Sequence, residues 1–136
     1  MRIPDHITSY GEQKKGTEYP DESAEQKTFF NQLRKKYPQY AAIAIHPKNE
    51  QKRKGRDFQT LSNDKAMGFC AGASDIIIPG GPALVIELKK QNGGRWQAGQ
   101  VDYLTAAQEA GAVAVVAFGW EAAIQAVEDW HNSRPK

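Results

Sequence analysis

Asp75, Glu87 and Lys89 are the residues of this 136-residue chain whose types and spacing best suit chemistry. Glu87 and Lys89 stand two apart in the stretch Ala83 to Lys89, where Leu84, Ile86 and Leu88 alternate with Val85, Glu87 and Lys89. Period-two alternation marks a strand, so Glu87 and Lys89 share one face of it. A wholly apolar strand would carry Val or Leu at both positions. Upstream, Ser74 to Ile78 reads as a partner strand and Pro79-Gly80-Gly81-Pro82 as the turn between them. A loop of Gly80, Gly81 and Pro82 sets Asp75 opposite Glu87 on the same face. A two-residue loop would pair Asp75 with Ile86 and send its carboxylate to the other side. The first register gathers polar with polar and is the one expected. Two adjoining carboxylates repel and raise one pKa unless a cation neutralises them. A hard divalent ion with oxygen ligands, Mg²⁺ or Mn²⁺, meets that need. The bland alternative is an exposed salt-bridge cluster on a strand edge.

The flanking sequence supplies the elements that would hold these side chains. Residues 1–20 mix Pro4, Gly11, Gly16 and Pro20 with polar residues and read as an irregular arm. Asp21 or Ser23 caps a helix that runs to about Tyr37 and is ended by Pro38. Phe29, Phe30 and Leu33 form its apolar stripe. Glu25 precedes Phe29 by four residues and Leu33 by eight, which puts it near that stripe; Glu22, seven before Phe29, is the rival. Ala41 to Ile45 reads as a short strand. Residues 47–69 then lose apolar periodicity, and Lys48, Lys52, Arg53, Lys54 and Arg56 face a single acid, Glu50. This is a long basic loop holding a short helix near Phe58 to Lys65; long loops in compact domains are usually functional or disordered. Gln97 to Ala110 is a helix stopped by Gly111, Ala112 to Phe118 a β-branched strand, and Trp120 to His131 a closing amphipathic helix. The order helix, strand, loop, hairpin, helix, strand, helix implies an α/β fold around one mixed sheet. The helix after Lys89 would serve as the crossover between parallel strands.

Composition narrows the classes. Hydrophobic residues make up 40% and charged residues 25%, a globular profile. Mean hydropathy is −0.67, and no run of about 18 apolar residues is present to span a membrane. No apolar stretch follows Met1 to act as a signal peptide. The single cysteine, Cys70, rules out a disulfide framework and an all-cysteine metal site, and the expected compartment is the cytoplasm. The net charge of +2 is too small to indicate nucleic acid by itself. The glycine pairs lack the GK[ST] and helix of a phosphate-binding loop.

Glu25, Gly72-Ala73-Ser74-Asp75, Glu87-Leu88-Lys89 and Gln100 fall in an order that resembles the PD-(D/E)xK nuclease superfamily, and more narrowly the virus-type replication-repair nuclease (VRR-NUC) domain. The stretches AIAIHPKNE, GASDIIIPGGPALVIELKK and GQVDYLTAAQEAGAVAVVAFGWEAA carry the likeness, which runs from about Asp21 to His131. Ser74 stands where the superfamily name has proline. The resemblance implies a restriction-endonuclease-like core in the order α-β-β-β-α-β-α, spanning residues 21–132. It implies Mg²⁺ (or Mn²⁺) held by Asp75, Glu87 and the Leu88 backbone carbonyl, with Glu25 joining directly or through water. Lys89 would orient or deprotonate the attacking water, and Gln100 would help position it. The partner implied is DNA, branched at a four-way junction or flap, cut by a homodimer in the manner of a Holliday-junction resolvase. The protein would be cytoplasmic, bacterial or phage-encoded.

Other residues have plainer readings. Beside such a core, Lys48, Lys52, Arg53, Lys54 and Arg56 would neutralise DNA phosphates. His46 and Asn49 flank that loop, and His46 reads as a strand-end polar residue. Cys70 reads as a small buried residue. Trp96 and Tyr103 would either stack on bases or pack under the crossover helix. Gln100 alone would read as a capping or surface amide. The rival functions are a non-catalytic DNA-binding module and a sequence-specific restriction-type endonuclease; no element suited to reading base edges is recognisable.

Overall fold

The computed structural model of the chain describes residues 1–47 and 58–134. Lys48, Asn49, Lys52, Arg53, Lys54 and Arg56 lie outside the described residues. The elements in order are β1 (Thr8–Tyr10), α1 (Glu22–Lys36), α2 (Pro38–Ala41), α3 (Phe58–Ala66), β2 (Ile76–Ile78), β3 (Leu84–Lys89), α4 (Gln100–Glu109), β4 (Val113–Phe118) and α5 (Trp120–Ser133). They build one mixed sheet in the order β1-β4-β3-β2. β3 runs parallel to β4, as the α4 crossover requires, and β2 is antiparallel to β3. The expected α/β class, with helices flanking one mixed sheet, is the one observed. No helix among the described residues is long and apolar enough to cross a membrane.

Two apolar clusters sandwich the sheet. Phe29 and Leu33 of α1 and Ile124, Val127 and Trp130 of α5 pack on Ile86 and Leu88 of β3. Ile7, Leu104 and Phe118 pack with Val85 and Val116 on the other face. Burying each large apolar side chain contributes roughly 1.5–3 kcal/mol, and β3 is packed on both faces.

Local chemistry sets the boundaries. Asp21 is the N-cap of α1, its Oδ1 accepting from the Ala24 N–H at 2.8 Å. Pro38 ends α1 but also opens α2 at the first helical position, where its missing N–H costs nothing. The strand expected over Ala41–Ile45 is therefore absent: Ala41, Ala42 and Ala44 suit a helical turn, and Ala44 N–H bonds to Tyr40. Only Ile45 pairs with the sheet edge, exchanging both backbone bonds with Ile77. The arm expected to be irregular supplies β1, which pairs in parallel with β4 after the buried Ile7. Cys70, expected buried, is exposed because it lies on the connection after α3 and not on an inward face.

The far end of β3, where the chain enters it, carries an aromatic clamp. Trp130 Nε1 donates to the Pro82 carbonyl at 2.9 Å, and the Arg134 guanidinium lies 4.7 Å from the Trp130 ring centre. Tyr40 Oη accepts from Arg134 at 3.1 Å and pairs with His131 Nδ1 at 2.6 Å.

Candidate active site

β2 and β3 pair Ile76 with Ile86, Ile77 with Val85 and Ile78 with Leu84. Continued by one step, that register sets Asp75 opposite Glu87, as the polar clustering requires. The ladder itself begins at Ile76, not at Ser74. Asp75 uses its side chain in place of backbone pairing: Oδ2 accepts the Leu88 N–H at 3.0 Å. The N–H and C=O of one extended residue point to the same strand edge. The Leu88 carbonyl therefore faces the side where β2 has not yet begun, beside Asp75.

All six residues of β3 are buried, including Glu87 at 0% and Lys89 at 2% exposure. The exposed salt-bridge alternative is thereby excluded. Gln100, also buried, ties the two together: its Nε2 donates to Glu87 Oε1 at 2.8 Å and its Oε1 accepts from Lys89 Nζ at 2.8 Å. The same Oε1 accepts the Gln97 N–H at 2.8 Å, so Gln100 caps its helix while joining the charged pair. Lys89 Nζ lies 3.5 Å from Glu87 Oε1 and 5.9 Å from the Trp96 ring centre. Trp96 is fixed by donating its Nε1–H to the Arg2 carbonyl at 2.7 Å. Trp96 and Tyr103 both pack against the α4-side core, which favours packing over base stacking for this pair.

Glycine geometry brings α4 to this place. Gly72 and Gly99 adopt φ of 77° and 87°, and a Cβ at Gly72 would come within 2.3 Å of the Gly99 carbonyl carbon. The backbones preceding Asp75 and Gln100 can approach this closely only without side chains. Ser74 is fully buried.

Ligand atoms of Glu22, Asp75 and Glu87 lie within 4.8 Å of one another. Glu87 Oε2 is buried and has no hydrogen-bond partner. Burial, then the Asp75 charge, push the Glu87 carboxyl up to about 9, with Lys89 opposing. A buried acceptor without a donor, among oxygen ligands only, is the donor set of a hard divalent cation. The residues present fit Mg²⁺ or Mn²⁺.

Glu25, expected to complete this set directly or through water, is not among the three carboxylates whose ligand atoms lie within 4.8 Å of one another, although its own Oε1 is buried without a hydrogen-bond partner. It is buried beside Phe29 and Leu33, as its spacing required, but one turn farther along α1. There its Oε2 accepts from Gln91 Nε2 at 3.1 Å, and a Cβ at Gly119 would come within 3.0 Å of that oxygen. Glu22, at the edge of the stripe, reaches the carboxylates instead. Gln91 has no distinguishing signal in the sequence; only its contact with Glu25 marks it. His46 donates from Nδ1 to the Asp75 carbonyl at 2.6 Å and is a brace for that residue, not a strand end. A cleft of about 630 Å³ opens in front of Glu22, Asp75 and His46.

Among solved structures the chain is similar to a protein described as "VRR_NUC domain protein", at 22% sequence identity and a TM-score of 0.68. The likeness covers 88% of this chain and 92% of that one. No protein-family model and no curated protein matches the sequence. The fold expected from the VRR-NUC resemblance is the fold this chain has.

Proposed function

We propose that this chain, built on the fold of a VRR_NUC domain protein, is a metal-dependent endonuclease that hydrolyses phosphodiester bonds in branched DNA, after the manner of a Holliday-junction resolvase. The observation that carries the reading is the unpartnered Glu87 Oε2, buried beside Asp75 and Glu22. Glu22, Asp75, Glu87 and the Leu88 carbonyl would hold the cation. When bound, Mg²⁺ or Mn²⁺ neutralises phosphate charge and makes water more acidic. Lys89 carries three N–H donors. Gln100 Oε1 accepts one of them and Glu87 Oε1 lies 3.5 Å away as the ion-pair partner, and a remaining donor orients the attacking water or steadies charge on the phosphate. Gln100 is a positioning residue that holds both Glu87 and Lys89. Glu22 takes the helix-acid role expected of Glu25, which serves the frame. Lys48, Lys52, Arg53, Lys54 and Arg56 neutralise phosphates outside the cleft. Symmetric cuts at a junction call for a two-fold dimer with two sites.

Plasmid, synthetic four-way junctions and flaps incubated with Mg²⁺ or EDTA test the reading. Cleavage is expected only with the metal. Asp75→Asn or Glu87→Gln should lower it at least about a thousandfold while DNA binding persists. Mg²⁺-dependent turnover at the parent rate in either variant overturns the assignment. Metal-independent binding with no cutting would return the non-catalytic module.

A further inference from the structure

The cleft in front of the carboxylates continues along the outer face of α1, past Lys27, Phe30, Asn31 and Arg34. Lys27 and Arg34 precede and follow Phe30 by three and four residues, so all three lie on one stripe of the helix. Asn31 Oδ1 accepts from Arg34 Nη1 at 3.1 Å and sets the direction of that guanidinium. Phe30 differs from its neighbours in the apolar stripe. Phe29 and Leu33 are fully buried, whereas Phe30 is half-buried, packs edge-on against Phe29 with ring centres 5.3 Å apart, and lines the cleft. An aromatic ring flanked by cations along a polar groove is the combination that binds single strands. The ring stacks with a base and the cations follow the backbone.

We infer that the α1 groove binds one unpaired DNA strand and leads it to the carboxylates, with Phe30 as the stacking platform and Lys27 and Arg34 as phosphate contacts. This rests on the nuclease reading, and it narrows the substrate to branched DNA whose strand is unpaired next to the cut. From Glu22 to Arg34 the helix rises about 18 Å, which at about 3.4 Å per nucleotide corresponds to roughly five nucleotides of a duplex strand and fewer of a stretched one. The charges are ordered to suit: carboxylates at the reacting end, cations along the approach. A stacked duplex hides its base faces from Phe30, so duplex binding gains nothing from the ring.

The test is binding of labelled DNA by the full chain in EDTA, where cutting is not expected. A single strand and a flap should bind more tightly than a blunt duplex of the same length. Phe30→Leu keeps an apolar group against Phe29 but loses the aromatic face. It should weaken single-strand and flap binding at least about fivefold, the loss of one base stack, and leave duplex binding within twofold. Lys27→Gln with Arg34→Gln should reduce the single-strand salt slope by about 1.4, two contacts at about 0.7 each. Single-strand affinity within twofold of the parent for Phe30→Leu, or an unchanged salt slope for the double variant, overturns the groove. If Phe30→Leu does not fold, a single strand carrying a photoreactive base decides: crosslinks within residues 26–34 support the groove, and crosslinks elsewhere overturn it. The two readings fail separately. Phe30-dependent binding without Mg²⁺-dependent cutting sinks the nuclease and keeps the groove; intact cutting with Phe30-independent binding does the reverse.

Discussion

The two ends of β3 are built to opposite rules. At the entering end, Trp130, Tyr40, His131 and Arg134 place each of their bonded polar groups against a partner: Trp130 Nε1 on Pro82, Tyr40 Oη between His131 and Arg134. At the leaving end, Glu87 and Lys89 are also buried, yet Glu87 Oε2 has no partner and its carboxyl is pushed up to about 9. Buried polar groups are normally satisfied, because an unmet acceptor costs about 1–3 kcal/mol. A chain that satisfies one end and not the other concentrates that cost where a ligand would relieve it. The aromatic end holds the hairpin so that the carboxylate end can remain strained in this sense. If so, substitutions at the leaving end should strike activity and spare stability, and those at the entering end should do the opposite.

The sharpest way to break that division is Lys89. Lys89→Met keeps the length of the side chain and removes its charge. Glu87 holds its proton up to about pH 9, so near neutrality the variant leaves no unpaired charge and folding should change little. Single-turnover cleavage should fall about 10²–10³-fold, the usual loss for one charged transition-state contact. Lys89→Arg should not restore it, because a planar guanidinium does not fit the site of a compact ammonium held by Gln100, Glu87 and Trp96. Rates within threefold of the parent for both variants would remove Lys89 from the chemistry.

The next effect in size separates the acids of α1. Glu22→Gln should lower cleavage about 10–100-fold and weaken Mg²⁺ binding measured by calorimetry. Glu25→Gln preserves an acceptor for Gln91 and should leave both within threefold. The reverse pattern would restore Glu25 to the site and detach the carboxylate cluster from function.

These acids also mark how far the residues alone could be read. Asp75, Glu87 and Lys89 stand out because charged residues interrupt an otherwise apolar period-two pattern, and turn geometry ties them to one face. Helix spacing places both Glu22 and Glu25 near the stripe and correctly buries Glu25. It does not say that the cleft opens at the edge of the stripe, one turn earlier, because that depends on where β2 begins beside β3. β1 escapes notice since its Thr8-Ser9-Tyr10 segment is a short edge strand with little apolar signal. Ala41–Ile45 misleads because Pro38 starts a helix as well as ending one. The Gln91 and Trp96 contacts join residues 66 and seven positions from their partners, and no local pattern encodes them.

A third effect concerns pH. The Glu87 carboxyl rises from 4.5 to about 9 on folding, burial being the main cause. Between those values the folded chain keeps a proton that the unfolded chain has released. The Glu87 contribution to stability without divalent metal should therefore be fully present below about pH 4.5 and be lost as pH rises toward about 9. Melting in EDTA from pH 5.5 to 9.5 should show a fall of about 5 °C or more that Glu87→Gln removes. The difference between the parent and Glu87→Gln curves isolates Glu87. Mg²⁺ should oppose the fall, since it favours the ionised form. Parallel curves for parent and Glu87→Gln would mean that the leaving end carries no such cost.

The smallest effect tests the entering end. Tyr40→Phe keeps the ring packed 4.7 Å from Trp130, between α2 and α5, and removes only the oxygen. Arg134 loses one acceptor but stays over the Trp130 ring, and His131 is exposed, so water can replace its lost partner. One hydrogen bond of this kind contributes about 1 kcal/mol, which corresponds to a drop of about 4 °C in melting temperature for a domain of this size. The oxygen lies at the start of β3, while Glu87 and Lys89 lie at its end, and the strand between them is buried and clamped on both faces. A loss confined to Tyr40 should not travel along so rigid an element. Cleavage by the folded variant should match the parent within twofold at 25 °C, while melting and proteolysis report the weakened clamp. A tenfold loss of single-turnover rate at unchanged melting temperature would show that the aromatic end sets the geometry of the carboxylates, and the division of labour between the two ends of β3 would not stand.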